Sequence, residues 1–300
     1  MKFQDLLLNP VGIRIALTFG HLLPPFLGYP LAEFVSSIVA SRKNSQIVKA
    51  VRLNQFVVSG ETLEGKSLDD AVKAVFKANG RSLFDFYHNI KRPNYVIKHV
   101  KFHESFQKVF DRCKRAEEGT LIVIPHISNF EMAGRAIALS GLFFQILSVP
   151  EPGKGYQWQN ELRNSEGMTV TPLTPSALRQ ATQRLRDGGA VLTGLDRPWP
   201  ESNYCPKFFG RPAPLPVAYT RLALKENVPV FVVACLYRGK GMYELIASEA
   251  IRLVPNDDLR EELISNTEKI LSEAEKMIAS APDQWAMFYP VWPELLDQMK

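Results

Sequence analysis

From Thr120 onward the chain alternates short apolar runs with amphipathic stretches, and this alternation restricts the fold more than any other feature. The runs are Leu121–Pro125, Phe143–Val149, Val191–Leu195 and Val228–Leu236. Continuous apolar character over so few residues suits strands covered on both faces. Between them, helical spacing predicts helices over Ser128–Leu139, Pro175–Arg186 and Pro214–Glu226. Strands alternating with helices point to the α/β class, with a central, mostly parallel sheet flanked by helices. Met242–Ile251 follows the turn Arg238-Gly-Lys-Gly241 and reads as a hairpin partner of the preceding strand. A long amphipathic helix, about Asp257–Ala279, closes the chain.

The first half is helical. Leu68, Ala71, Val72, Val75 and Phe76 share one helix face, and Phe102, Phe106, Val109, Phe110 and Cys113 share another. Ile15 to Ala32 carries no Asp, Glu, Lys or Arg, yet it holds Pro24, Pro25, Gly28 and Pro30, so no straight helix is expected through it. Two apolar helices are expected instead, Val11–Leu23 and Pro30–Ala40, joined by a Pro-Pro turn. Arg42, Lys43, Lys49 and Arg52 follow. Apolar helices beside basic side chains describe an element that lies on an anionic membrane surface; a pair of core helices is the plain alternative. No linker divides the rest. The expected organisation is a membrane-associating region over 1–45 and an α/β domain over 46–300.

The 300 residues carry a net charge of +5, a mild excess that selects no partner by itself. No basic stripe with interleaved aromatics supports nucleic-acid binding. Cys113, Cys205 and Cys235 are far apart and odd in number, which argues against a zinc site or disulfide framework and fits a reducing compartment.

In an open α/β sheet, ligands bind beyond the carboxyl ends of the strands. Pro125-His126 and Asp196-Arg197-Pro198 both stand at such ends and can line one cleft. A histidine near neutral pKa serves as a general base when a carboxylate orients its ring. Glu131 offers that carboxylate if it folds back from the first turn of the following helix. A second explanation stands beside it: Ser128-x-x-Glu131 is a capping box, with Glu131 bonded only to backbone.

The Pro-His-x4-Glu pattern at a strand end resembles the His-x4-Asp/Glu signature of glycerolipid-type acyltransferases. Further segments narrow the resemblance to the lipid A biosynthesis acyltransferase family, which includes the phosphatidylinositol mannoside acyltransferases. Arg163-Asn-Ser-Glu-Gly167 is similar to the family's Arg-x-x-x-Gly ahead of a short strand, here Met168–Leu173. Asp196-Arg197 follows the next strand. Phe208-Phe-Gly-Arg-Pro-Ala-Pro-Leu-Pro216 is similar to its Phe-x-Gly…Pro segment. The ending Pro282-Asp-Gln-Trp285-Ala-Met-Phe-Tyr-Pro290-Val-Trp292 resembles the mannoside branch more than the Arg-rich lipid A one. Many relatives carry Asp where this chain has Glu131.

This resemblance implies a membrane-associated O-acyltransferase on the cytoplasmic face of the inner membrane. It implies transfer of a fatty acyl chain from an acyl thioester (acyl-CoA or acyl carrier protein) to a glycolipid hydroxyl, with no metal or other cofactor. His126 and Glu131 are the implied catalytic pair; Arg163, Asp196, Arg197, Phe209 and Gly210 are the implied substrate-binding residues. The rival class is a non-catalytic lipid-binding or scaffolding protein on the same fold.

Overall fold

The computed structural model describes residues 22–149, 160–161, 163–164, 168–296 and 298. Four helices lead in: α1 (Pro25–Ser41), α2 (Gln46–Val58), α3 (Gly65–Asn89) and α4 (Pro93–His99). Next come β1 (Val100–Phe102), α5 (Glu104–Arg115), β2 (Thr120–Ile124), α6 (Phe130–Leu139), β3 (Phe144–Ser148), β4 (Thr169–Pro172), α7 (Pro175–Arg186) and β5 (Ala190–Gly194). A small hairpin of β6 (Lys207–Phe208) and β7 (Arg211–Pro212) precedes α8 (Ala218–Glu226), β8 (Val230–Gly239), β9 (Met242–Ala247) and α9 (Leu259–Ser280).

Seven of these strands form one sheet in the order β1-β9-β8-β2-β5-β3-β4. Every neighbouring pair is parallel except the β8–β9 hairpin. The continuous apolar runs are explained by burial on both faces. Leu121 and Val123 of β2, Val191 of β5, and Val230 and Val232 of β8 pack against the side covered by α2, α7, α8 and α9. Ile122, Leu192, Phe231 and Val233 alternate with them and face the core under α3, α4, α5 and α6. The structure is thus the α/β fold expected from the alternation.

Element edges differ where tertiary contacts outweigh local pattern. Phe102 ends β1 rather than starting a helix. Main-chain N–H of His103 donates to Leu245 of β9 at 2.9 Å, and the His103 ring caps α5 by accepting from Ser105 N at 3.2 Å. The proline-rich segment forms one helix from Pro25 through Pro30 to Ser41, not a helix that begins at Pro30. Pro25 occupies the first turn, where its missing N–H costs nothing, but Pro30 forfeits a helical bond and costs roughly 3 kcal/mol. Packing on α3 offsets this. Gly28, Ser36 and Val39 are buried, Tyr29 donates to Asp85 at 2.5 Å, and Glu33 pairs with Arg81 at 3.2 Å. The opposite face of α1 is exposed and apolar: Phe26 is 74% and Phe34 64% exposed, with Leu27, Leu31, Val35 and Ile38 beside them. Among the described residues, no helix is long and apolar enough to cross a membrane. The expected helix Val11–Leu23 lies almost wholly outside the described residues.

Candidate active site

Strands β2 and β5 run parallel with Ile124 opposite Gly194. Leu195 N continues the ladder to Ile124 O at 3.1 Å. Two positions beyond the last paired residues, His126 and Asp196 therefore stand side by side. Asp196 Oδ1 lies 2.5 Å from His126 Nδ1. Its Oδ2 accepts from the main-chain N–H of His126 at 2.8 Å and from the indole Nε1 of Trp285 at 2.7 Å. Asp196 is fully buried, and these three contacts supply the donors that a buried carboxylate requires.

The nitrogen facing a carboxylate carries the proton, so the geometry assigns the Nδ1–H tautomer to His126. Nε2 is left as an acceptor, and among the described residues it has no hydrogen-bond partner. The side chain is 25% exposed and lines a cavity of about 780 Å³. Gly194 permits this approach: a Cβ there would meet His126 Cε1 at 3.1 Å, tighter than side chains normally pack. The Phe130 ring holds the imidazole edge-on, with centroids 5.3 Å apart.

The carboxylate on the imidazole is thus Asp196, and the expected His126–Glu131 contact is not the one formed. Glu131, in the first turn of α6, accepts from Arg163 Nε at 2.8 Å and also pairs with its terminal nitrogen. Arg163 Nη1 donates to Asn160 Oδ1 at 2.7 Å. Glu131 and Arg163 both line the cavity and are brought together there as an ion pair. Nor does the capping box form. Asn129 caps α6, accepting from Met132 N at 3.1 Å. Ser128 has a left-handed backbone (φ 50°), and its buried hydroxyl bonds no described residue.

The cavity runs along the sheet under α6. One end is apolar, walled by Phe106, Ile122, Ile137, Leu192, Val233 and Leu245. Cys235 also lines it, and burial pushes its thiol up to about 12. The sulfur stays protonated at neutral pH and is a wall atom rather than a nucleophile. The other end is polar and exposed, with Arg197, Trp199, Glu201 and Tyr289. Arg197 lies 4.2 Å over the Tyr289 ring and donates to its hydroxyl at 2.8 Å.

Phe209 and Gly210 do not line the cavity; they form the β6–β7 turn. Both have left-handed backbones (φ 49° and 75°), which the two central residues of a tight hairpin turn require. Phe209 N donates to Glu275 of α9 at 2.5 Å. The Phe209 ring lies in an aromatic cluster, 6.4 Å from Trp285 and 6.3 Å from Trp292, in which the Phe208 ring stacks on Trp292 at 5.9 Å and meets Trp285 edge-on at 6.1 Å. Among the described residues, no three His, Cys, Asp or Glu side chains gather as metal ligands.

The model of the family described as bacterial lipid A biosynthesis acyltransferase matches residues 12–294. The phosphatidylinositol mannoside acyltransferase of Mycobacterium tuberculosis is 24% identical over 208 residues, 66% of this chain and 64% of the relative. That of Mycolicibacterium smegmatis is 26% identical over 182 residues, 59% of this chain and 58% of the relative. The chain thus spans about three fifths of the length of these curated relatives. Among solved structures, the 1-acyl-sn-glycerophosphate (LPA) acyltransferase PlsC from Thermotoga maritima matches with 15% identity and a TM-score of 0.36, over 78% of this chain and 98% of that one.

Proposed function

Because the chain belongs to the bacterial lipid A biosynthesis acyltransferase family, we propose that it transfers a fatty acyl group from an acyl thioester to a hydroxyl of a glycolipid, with His126 as general base. The observation that carries this is the ring held at Nδ1 by Asp196, with Nε2 open on a cavity that is apolar at one end and polar at the other.

In this mechanism Nε2 takes the proton of the acceptor hydroxyl as its oxygen attacks the thioester carbonyl. The tetrahedral intermediate collapses, the C–S bond breaks, and the imidazolium proton goes to the departing thiolate. An ester and a free thiol result. Asp196 stabilises the imidazolium and holds the tautomer. General-base help of this kind is worth roughly 10²–10⁴-fold. The acyl chain occupies the apolar end, and the acceptor headgroup approaches from the side of Arg197 and Tyr289. Arg163, fixed by Glu131, presents a guanidinium to an anionic or oxyanionic part of the reactants. The mannoside names of the relatives support a phosphatidylinositol mannoside as acceptor, and a lipid A precursor is the other acceptor to test.

The same proposal sets the protein on an anionic membrane surface, at the cytoplasmic face of the inner membrane. The exposed apolar face of α1 and the following Arg42 and Lys43 suit that surface, and the free thiols suit a reducing side.

The test incubates the purified protein with palmitoyl-CoA or palmitoyl carrier protein, and with a phosphatidylinositol mannoside or a lipid A precursor. Mass spectrometry then reads the acylated product. His126→Ala is expected to keep the fold and lose transfer. A well-folded His126→Ala protein that transfers at the original rate would refute the base assignment. Lipid binding with no transfer by any pair would instead favour a non-catalytic lipid-binding protein.

A further inference from the structure

Two segments resemble the family without touching the cavity wall at their most distinctive residues: Phe208-Phe209-Gly210 and the tryptophans of the C-terminal stretch. They meet each other behind Asp196. We propose that Trp285 is a positioning residue for the His126–Asp196 pair, its indole N–H holding the carboxylate so that Oδ1 is presented to the imidazole. This rests on His126 as the base.

An aspartate carboxylate turns about a broad, soft torsion. Held by His126 alone, main-chain N–H on Oδ2 and ring on Oδ1, the carboxylate can still turn together with the ring. A second donor on the same oxygen, Trp285 Nε1 at 2.7 Å, removes that freedom and leaves Oδ1 for the ring. The indole is itself fixed. Trp285 is 1% exposed, and its ring packs with Phe208 at 6.1 Å and Phe209 at 6.4 Å. Its main chain is tied to the catalytic loop: Ile127 bridges Trp285, Ala286 N donates to His126 O at 2.8 Å, and Ser128 N donates to Gln284 O at 2.8 Å. The Gln284 side chain brackets Tyr237 of β8, accepting at 2.7 Å and donating at 3.1 Å. One rigid segment therefore sets both the loop that carries the histidine and the carboxylate that orients it.

Trp292 supplies the internal control. It belongs to the same aromatic cluster and is fully buried, but its Nε1 bonds no described residue. The other ionisable groups along the cavity among the described residues are Glu131, Arg163, Arg197, Glu201, Tyr289 and Cys235. Tyr219 of α8 stands behind Asp196; burial first, and then the Asp196 charge, push its hydroxyl upward. None of these is altered by exchanging either tryptophan.

The experiment compares Trp285→Phe, β-(3-benzothienyl)alanine incorporated at position 285, and Trp292→Phe. The benzothienyl ring keeps the indole's shape and lacks the N–H, so it separates the hydrogen bond from packing if Trp285→Phe folds poorly. The first readout is the pH titration of the His126 ring by NMR of histidine-labelled protein, which needs no turnover. The second is kcat and KM for palmitoyl-CoA with a phosphatidylinositol mannoside. Both replacements at 285 are expected to move the ring's titration midpoint and to lower kcat about 10–100-fold, the usual cost of losing an outer-shell orienting contact, with KM for palmitoyl-CoA unchanged. Trp292→Phe is expected to change neither. A titration and kcat at 285 indistinguishable from those of Trp292→Phe would overturn the positioning role. A fully active His126→Ala protein would instead sink the base assignment itself, and the NMR titration would still decide whether Trp285 holds the pair.

Discussion

Asp196→Asn separates the geometry found here from the pairing expected of Glu131. Asparagine fits the same space but offers one carbonyl oxygen and one NH₂ group. Two donors, His126 N and Trp285 Nε1, converge on the position of Oδ2, so the amide oxygen is drawn there and the NH₂ group faces His126 Nδ1. Nδ1 must then accept, and the ring proton moves to Nε2. The nitrogen facing the cavity is no longer a base. Three charge-assisted hydrogen bonds become neutral ones, worth about 1 kcal/mol less each, so stability falls by about 3 kcal/mol at most. The rate suffers far more. A wrong tautomer in a comparable His–Asp arrangement costs about 10⁴-fold, or about 5.4 kcal/mol at 1.36 kcal/mol per factor of ten. Initial rates of palmitoyl transfer measure the loss, and ¹⁵N shifts of the labelled ring report the tautomer. In Glu131→Gln the ring keeps its Nδ1–H tautomer, because Glu131 bonds Arg163 rather than the imidazole. If Asp196→Asn stays within about tenfold of the wild-type rate while Glu131→Gln falls by about 10⁴ with an altered ring tautomer, the assignment of Asp196 as the orienting carboxylate is wrong.

Further outcomes follow from the cavity, the first helix and one buried acid. If the apolar end holds the acyl chain, each methylene added to the donor contributes about 0.8 kcal/mol, or about fourfold in kcat/KM, until the wall is reached. Ala133→Phe, on a lining position of α6, is expected to move that optimum to shorter donors; an unchanged chain-length profile would place the acyl chain elsewhere. Phe26→Asp with Phe34→Asp withdraws two exposed rings from any bilayer contact, at about 1.5 kcal/mol or more each. Binding to anionic vesicles by flotation should drop at least about a hundredfold, and undiminished flotation would remove α1 as the docking face. Burial pushes the Asp85 carboxyl above its usual range despite hydrogen bonds from Tyr243 and Tyr29 and the charges of Arg81 and His88. With the folded value raised, the native state holds more protons than the unfolded chain. Stability is then lost as pH climbs from the ordinary carboxyl value of about 3.9 through the folded one. Wild type should therefore lose stability relative to Asp85→Asn as pH rises above about 3.9 in urea titrations; a gap that stays constant or widens in favour of wild type would contradict the raised value.

How far the sequence reveals the site depends on the distance over which each contact forms. Burial on both faces leaves a local mark, so the runs at 121–125, 191–195 and 228–236 betray β2, β5 and β8 wherever they pair. The contact that orients His126 leaves none. Its partner lies 70 residues away, brought alongside by the parallel register of β2 and β5, and register across a crossover is written in no single segment. A nearer acid, Glu131, was therefore the natural candidate. It lies in the first turn of α6, where it pairs with Arg163 instead. The capping box expected at Ser128 is absent for a related reason: its left-handed backbone passes the capping role on to Asn129. One signal was present all the same. Ile124-Pro-His126 and Gly194-Leu-Asp196 place a polar residue two positions beyond strand ends that pair with each other, and once β2 and β5 are taken as neighbours that common offset puts the two side chains together. The C-terminal tryptophan had no such counterpart. Trp285 reaches Asp196 only because an irregular segment crosses beneath the strand ends, and irregular backbone carries no periodicity from which its course could be read.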